Sequence, residues 1–161
     1  MERRSIRLDE LRARLGTEIG LSDWLLVDQE LINRFADATF DHYFLHTDPV
    51  RAAGTQMGGT IAHGFLTLAL LAPMSVSGLP AVKGVVMGVN YGFDRLRFIA
   101  PVPCGKRIRA RFVLKDVVEK APGQWQITYR VTVEVEGQDT PALAAEWVNR
   151  YWIEEEGPPL S

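Results

Sequence analysis

The stretch DHYFLHTDP, from Asp41 to Pro49, brings together residue types that exchange protons. It holds two of the chain's three histidines, His42 and His46, and the carboxylates of Asp41 and Asp48, all within eight residues. An imidazole with a pKa of about 6.5 and a carboxylate whose pKa is raised by burial both exchange protons near neutral pH. The spacing alone leaves three interpretations open: a proton-transfer pair, a metal site and a polar turn.

A metal site is the interpretation that the surrounding sequence supports least. His42 and His46 are four residues apart, which on a helix would place both imidazoles on one face. However, Asp48 and Pro49 form a helix start, so any helix through His46 must end before them. No cysteine or third histidine has a spacing typical of zinc ligands. The sequence therefore predicts no metal, whereas a structural role stays open, with Asp41 capping a turn and His46 packed in the core.

The whole-chain composition excludes several classes of function. With 161 residues the chain has the size of one domain, which we expect to span residues 1–161. Its formal net charge of −2 offers no basic surface for nucleic acid. The longest apolar run, Phe65 to Pro73, is too short to cross a bilayer, and Cys104 is the only cysteine. Because no export signal is visible, the sequence predicts a cytoplasmic protein that binds neither nucleic acid nor membrane.

Helix signals dominate roughly the first 75 residues. Asp28 is a capping residue before a helix that we expect to end at Thr39, and Asp48 caps a short helix that ends near Gly54. The later segment IAHGFLTLALLAPM is apolar nearly all round. A helix with no polar face must be buried, so this segment predicts the central helix of the fold.

From Gly84 onward the hydrophobic period changes to two, which is typical of strands. The predicted strands are Gly84 to Phe98, Lys106 to Val118, Ile127 to Val135 and Ala142 to Ile153. In the first of them the alternation of apolar and polar residues shifts by one position near Asp94, which predicts a bend or a bulge. One buried helix followed by several long antiparallel strands predicts an α+β fold, in which a strongly curved sheet wraps the helix.

Three segments resemble one known family. FADATFDHYFLHTDPVRA, GGTIAHGFLTLALL and VNYGFDRLRFIAPVPCG are similar, in order and spacing, to the MaoC-like hydratases and dehydratases of the hotdog fold. The resemblance covers roughly Val27 to Trp152. It implies an enzyme of the hydro-lyase class that acts on 2-enoyl thioesters of coenzyme A or acyl carrier protein, giving the (3R)-hydroxyacyl product. It also implies a homodimer and no metal or organic cofactor.

The resemblance assigns catalytic roles to three residues. The family's signature is an Asp, four intervening residues and a His, which here are Asp41 and His46. His46 would orient and deprotonate the water, while Asp41 shares that water and delivers a proton to C2. The start of the buried helix matches His63-Gly64-Phe65, where the backbone N–H of Gly64 would bind the thioester oxygen. Free N–H groups and the helix dipole suit that task, and a glycine lets the carbonyl approach closely.

Other residues near the signature depart from the family pattern. Phe40 stands where the family usually has Gly, and Tyr43 where it has Asn or Gln; Phe44, Gln56-Met57 and Cys104 are also atypical. Bulky rings beside the catalytic Asp would narrow the acyl site. The predicted substrate-binding residues are Phe40, Tyr43, Phe44, Met57, His63 and Arg97.

These departures leave alternatives open. They fit ordinary variation within the family, and they also fit a pocket recast by divergence or engineering for another conjugate addition or elimination. A non-catalytic acyl-thioester binding protein is a third interpretation, although such a protein has no need of a proton-transfer pair. His63 could simply pack at the helix start, and Arg97 could be an ordinary surface residue rather than a ligand of coenzyme A phosphates.

Overall fold

The computed structural model describes residues 4–154, and their helices and strands follow one another in a mixed order. The helices are α1 (Leu8–Arg12), α2 (Gln29–Thr39), α3 (Phe44–Thr47), α4 (Pro49–Ala53), α5 (Gly64–Ala69) and α6 (Leu71–Gly78). The strands are β1 (Ser5–Ile6), β2 (Glu18–Leu21), β3 (Leu25–Val27), β4 (Ala81–Val82), β5 (Val85–Phe98), β6 (Lys106–Ala121), β7 (Gln124–Val135) and β8 (Leu143–Ile153).

One antiparallel sheet of six strands forms the frame of the fold. Its order is β2-β6-β7-β8-β5, and β3 pairs with β6 beside β2. The long strands β6, β7 and β8 are neighbours, as expected for segments joined by the short turns around Gly123 and Gly137, which both have positive φ angles. The predicted α+β class with a curved antiparallel sheet is confirmed.

The central apolar segment forms two helices, α5 and α6, instead of the single predicted helix. Pro73 lies in the first turn of α6 and has no N–H to donate to the carbonyl of Ala69. The helix is therefore interrupted at Leu70, although the N–H of Leu70 still donates to the oxygen of Leu66 at 3.0 Å. No helix within residues 4–154 is long and apolar enough to cross a membrane.

The helices α5 and α6 pack their apolar side chains against the inner face of the sheet. Each such side chain contributes about 1.5–3 kcal/mol when it is fully buried. The buried set includes Leu66, Leu71 and Met74 from the helices and Ile108, Phe112, Leu114, Ile127, Val131, Val133 and Leu143 from the sheet. This core fixes the start of α5 relative to the sheet.

The N-terminal part is less helical than the sequence predicts. The helices α2 and α4 begin at the predicted capping residues, since Asp28 accepts from the N–H of Leu31 at 2.8 Å and Asp48 accepts from Arg51 at 3.0 Å. The strands β1, β2 and β3 were not predicted. They span two to four residues each, too few to show an alternating pattern.

The strand β5 bends, as the shift in alternation near Asp94 predicted. Its pairing with β8 changes register at three places, one of them between Asp94 and Arg97, and Arg95 has a φ of 52°. Because β5 lies at the end of the described sheet, its apolar side chains remain exposed. These are Val85, Val86, Met87, Val89, Tyr91 and Phe98.

Candidate active site

The end of α2 presents Asp41. Phe40 is the C-cap of this helix and has φ 60° and ψ 21°, the left-handed conformation that commonly ends a helix. That turn directs the chain away from the helix axis, so that Asp41 follows as an exposed residue. Its Oδ1 lies 3.4 Å from the backbone N–H of Tyr43, which donates to it. A left-handed phenylalanine is strained, because its Cβ crowds the backbone.

The one-turn helix α3 holds His46. This helix was not predicted, since four residues are too few to show a period. The Nδ1 of His46 lies 2.8 Å from the carbonyl oxygen of Ile61. A carbonyl can only accept, so this contact assigns the ring proton to Nδ1 and leaves the lone pair of Nε2 to act as a base.

A second set of hydrogen bonds fixes the backbone around His46. The side chain of Gln29 donates to the carbonyl oxygen of His46 at 2.7 Å and accepts from the hydroxyl of Thr60 at 2.5 Å. The N–H of Ile61 donates to the oxygen of Leu45 at 3.0 Å. Gln29 thereby ties α2, α3 and the segment before α5 together. The sequence carried no signal for this role, because a Gln in the first turn of a helix is common.

His63 packs directly against His46. The two ring centroids are 3.8 Å apart and the ring planes meet at 28°, a stacked arrangement. The Nε2 of His63 lies 2.9 Å from the carbonyl oxygen of Asp41 and donates to it, while its buried Nδ1 has no hydrogen-bond partner among residues 4–154. Since His63 is only 2% exposed, burial lowers the pKa of its imidazole and keeps it neutral. His63 therefore connects Asp41 with His46.

Asp41, His46 and His63 form one cluster. Each offers a ligand atom, and these atoms all lie within 4.8 Å of one another. Two polar atoms that far apart can both reach one water, since each hydrogen bond spans about 2.8 Å. A metal ion would need to lie in the plane of each imidazole, yet the two planes are stacked nearly parallel. The arrangement thus suits a shared water better than a metal.

A cavity of about 290 Å³ opens beside His46. Gly64 lies in its wall at the first position of α5, where the backbone N–H has no partner inside the helix and the side chain of His63 does not cap it. The remaining wall is largely apolar. It is formed by Ile61, Ala62, Thr67, Phe98, Ile99, Ala100, Pro101, Val102 and Ala142.

The aromatic residues beside Asp41 do not line this cavity in the described chain. Phe40 is 88% exposed and Tyr43 is 56% exposed, so the expectation that their rings turn toward the core or the acyl site is not met within one chain. The ring of Tyr43 instead lies edge-on to His46, with centroids 6.3 Å apart. Phe44 is half-buried beneath the guanidinium of Arg51 at 4.3 Å.

The other predicted residues lie at different distances from the cluster. Met57 is half-buried, and its N–H donates to the hydroxyl of Thr55 at 3.2 Å. Arg97 is exposed next to Phe98 in the cavity wall, and its guanidinium donates to the carbonyl oxygen of Leu96. His42 lies apart from the cluster, with its Nε2 3.6 Å from a carboxylate oxygen of Asp37.

Comparisons with known proteins identify the family of the chain. A family model described as "MaoC like domain" matches residues 10–138. The chain belongs to the MaoC-like dehydratase family. It is 51% identical over 144 residues to Nodulation protein N of Rhizobium meliloti, a match that covers 89% of each sequence. It is 49% identical over 142 residues to 3-hydroxyacyl-thioester dehydratase Z of Mycobacterium tuberculosis, covering 88% of this chain and 93% of the relative.

Solved structures of MaoC-like proteins share the fold. The (R)-hydratase from A. caviae matches with a TM-score of 0.65 and 25% identity, over 84% of this chain and 94% of that one. A monoamine oxidase regulatory protein from Archaeoglobus matches with a TM-score of 0.75 over 96% and 99% of the two chains; its 23% identity shows the fold alone. The fold is therefore the hotdog fold, and the chain is an enzyme of the hydro-lyase class.

Proposed function

We propose that the protein adds water to trans-2-enoyl thioesters of coenzyme A or acyl carrier protein, giving (3R)-hydroxyacyl thioesters, or catalyses the reverse dehydration. The observation that carries this proposal is the convergence of Asp41, His46 and His63 within 4.8 Å, next to a largely apolar cavity that has Gly64 in its wall. Addition of water to an enoyl thioester needs a base, a proton donor, an apolar acyl site and a donor for the thioester oxygen, and each has a candidate here.

His46 is the base in this mechanism. Water bound between Asp41 and His46 transfers a proton to Nε2 of His46 as its oxygen forms the bond to C3. The electrons of the double bond move toward the thioester carbonyl, and C2 then takes up the proton of the Asp41 carboxyl group, which regains a proton from the imidazolium of His46. The hydrogen bond from Nδ1 to Ile61 stabilises the imidazolium formed in between.

The backbone N–H of Gly64 stabilises the negative charge that develops on the thioester oxygen. In the first turn of α5 this N–H is unbonded within the helix and has no side-chain cap. A preorganised donor of this kind commonly contributes about 10²–10³ in rate. His63 acts as a positioning residue, because its ring stacks on His46 and its Nε2 holds the Asp41 carbonyl.

The residues around the cluster bind the rest of the substrate in this proposal. Tyr43, edge-on to His46, and the neighbouring Phe44 form an aromatic surface outside the cavity. Exposed Phe40 can cover a bound thioester chain. Arg97 projects from the strand that ends in the cavity wall, so its charge is available to a phosphate of the carrier.

We also propose that the protein works as a homodimer in the cytoplasm. Among the described strands, β5 is paired with β8 along one edge only and carries an exposed apolar row. Such an edge invites pairing with a second copy across a two-fold axis. The half-buried free thiol of Cys104 fits a reducing compartment.

Kinetics of paired histidine variants test the proposed function. With crotonyl-CoA as the substrate, His46→Ala should lower kcat/KM about 10²–10⁴-fold, the contribution typical of an acid–base group. His42→Ala is the matched control, because His42 belongs to the same stretch but lies beside Asp37. It should change kcat/KM less than about twofold. A large loss in His42→Ala with full activity in His46→Ala would overturn the assignment.

A further inference from the structure

We infer that Phe98 is a specificity-determining residue, whose ring closes one side of the acyl cavity and limits the length of the acyl chain that fits. The inference deepens the proposed function and rests on it. Phe98 is the last residue of β5 and lines the cavity together with His46 and Gly64. Because this cavity is the acyl site of the proposed function, an acyl chain bound in it lies against the ring of Phe98.

The ring of Phe98 lies directly over Gly64. A Cβ built at position 64 would meet three ring carbons of Phe98 at 3.1–3.2 Å, closer than ordinary van der Waals contact. A glycine is therefore the residue that lets the aromatic ring approach this closely.

The backbone on both sides holds Phe98 in place. Phe98 pairs with Leu143 of β8, and the N–H of Ile99 donates to the oxygen of Ala142 at 2.8 Å. Ala142 lines the same cavity, so the wall is tied across two strands. The ring of Phe65 touches that of Phe98 edge-on, with centroids 5.7 Å apart, but does not line the cavity. Because the pairing of two strands, and not this contact, holds Phe98 in place, the wall resists displacement by a longer chain and sets a size limit.

The ratio of kcat/KM for trans-2-decenoyl-CoA to that for crotonyl-CoA measures the size limit. Phe98→Ala should raise this ratio about tenfold or more, because removing the ring gives the longer chain room that the shorter one does not use. Phe98→Leu keeps a smaller apolar side chain in the wall and should give an intermediate ratio. This variant replaces Phe98→Ala in the test if the alanine variant folds poorly. Calorimetric Kd values for decanoyl-CoA and butyryl-CoA should shift in the same direction without any turnover.

Phe65→Ala is the matched control. It removes a ring of equal size that is 66% exposed, touches Phe98 and does not belong to the cavity wall. Its ratio should change less than about threefold. A wild-type enzyme that turns over crotonyl-CoA, with an unchanged ratio in both Phe98 variants, overturns this inference alone. Equal shifts in the Phe65 and Phe98 variants overturn it as well. No turnover of any enoyl thioester by the wild type overturns the proposed function instead.

Discussion

At the scale of single residues, the stack of His63 on His46 distinguishes the two histidines chemically. His46 keeps a free Nε2 beside the cavity, whereas His63 is buried and uses its Nε2–H to hold the Asp41 carbonyl. Burial lowers the pKa of His63, so it stays neutral where an ordinary histidine would begin to take up a proton. A neutral ring adds no positive charge that would oppose protonation of His46.

The lowered pKa of His63 makes folding stability depend on pH. Between the ordinary histidine pKa of about 6.5 and the lower pKa of folded His63, the unfolded chain is the more protonated of the two states at this residue. The unfolded state then binds more protons, so the free energy of unfolding falls as the pH decreases through this range. Above about pH 6.5 neither state is protonated and the effect is absent.

His63→Gln should remove this contribution, because an amide does not titrate and its N–H₂ can still donate to the Asp41 carbonyl. Urea denaturation at about pH 7.5 and about pH 5.5 should show a smaller fall in the free energy of unfolding for the variant than for the wild type. His42→Gln is the control, since His42 is exposed. Equal falls in wild type and His63→Gln would contradict the buried, neutral assignment.

Phe40→Gly should stabilise the protein by up to about 1 kcal/mol. Glycine adopts the left-handed conformation of residue 40 without the crowding that a Cβ causes, although it also gains freedom in the unfolded chain. Little packing is lost, because Phe40 is 88% exposed in the single chain. The free energy of unfolding measures the change. Phe40→Ala keeps the Cβ and should bring no gain; a gain as large as that of the glycine variant would show that the exposed ring, and not the backbone, is responsible.

At the scale of the elements, the proposed dimer can be tested at the strand β5. Val86→Glu combined with Val89→Glu places charges on its exposed apolar row, where a second copy would bring like charges together. Light scattering should give the 18.0 kDa of one chain for this variant and about twice that mass for the wild type. Leu26→Glu is the control, because Leu26 is half-exposed on β3, near the edge of the sheet that lies away from β5. This variant should keep the mass of the dimer. A single-chain mass for the wild type at micromolar concentration would contradict the dimer.

The elements also show how far the sequence could predict this fold. The long strands and the helices that begin at Asp28 and Asp48 were predictable, because their period or capping chemistry is local. The short strands β1 to β3 depend on pairing with distant parts of the chain, and local sequence does not encode that pairing. Pro73 is a local signal for the interruption of the helix at Leu70. The continuous apolar pattern, however, favours a single helix across this segment.

In the candidate site, the family resemblance predicted the pair Asp41 and His46 but not the contacts that orient it. Three sets of contacts join residues that are at least 15 positions apart. They are the stacking of His63 on His46, the bond from Nδ1 of His46 to Ile61, and the hydrogen bonds of Gln29. Phe98 reaches Gly64 from a different element altogether. Such contacts follow from the packing of α2, α3 and α5 against the sheet, which a single sequence does not reveal.

At the scale of the whole molecule, the sheet and the two central helices hold the cluster of Asp41, His46 and His63 beside a largely apolar cavity. The direct test of that arrangement is the product that wild-type enzyme forms from crotonyl-CoA, analysed by chiral separation after hydrolysis of the thioester. If Asp41 and His46 present water to one face of the substrate while Gly64 holds its carbonyl, the product is (3R)-hydroxybutyryl-CoA, and His46→Ala forms almost none. A (3S) or racemic product, or no product from the wild type with this and longer enoyl thioesters, would contradict the account.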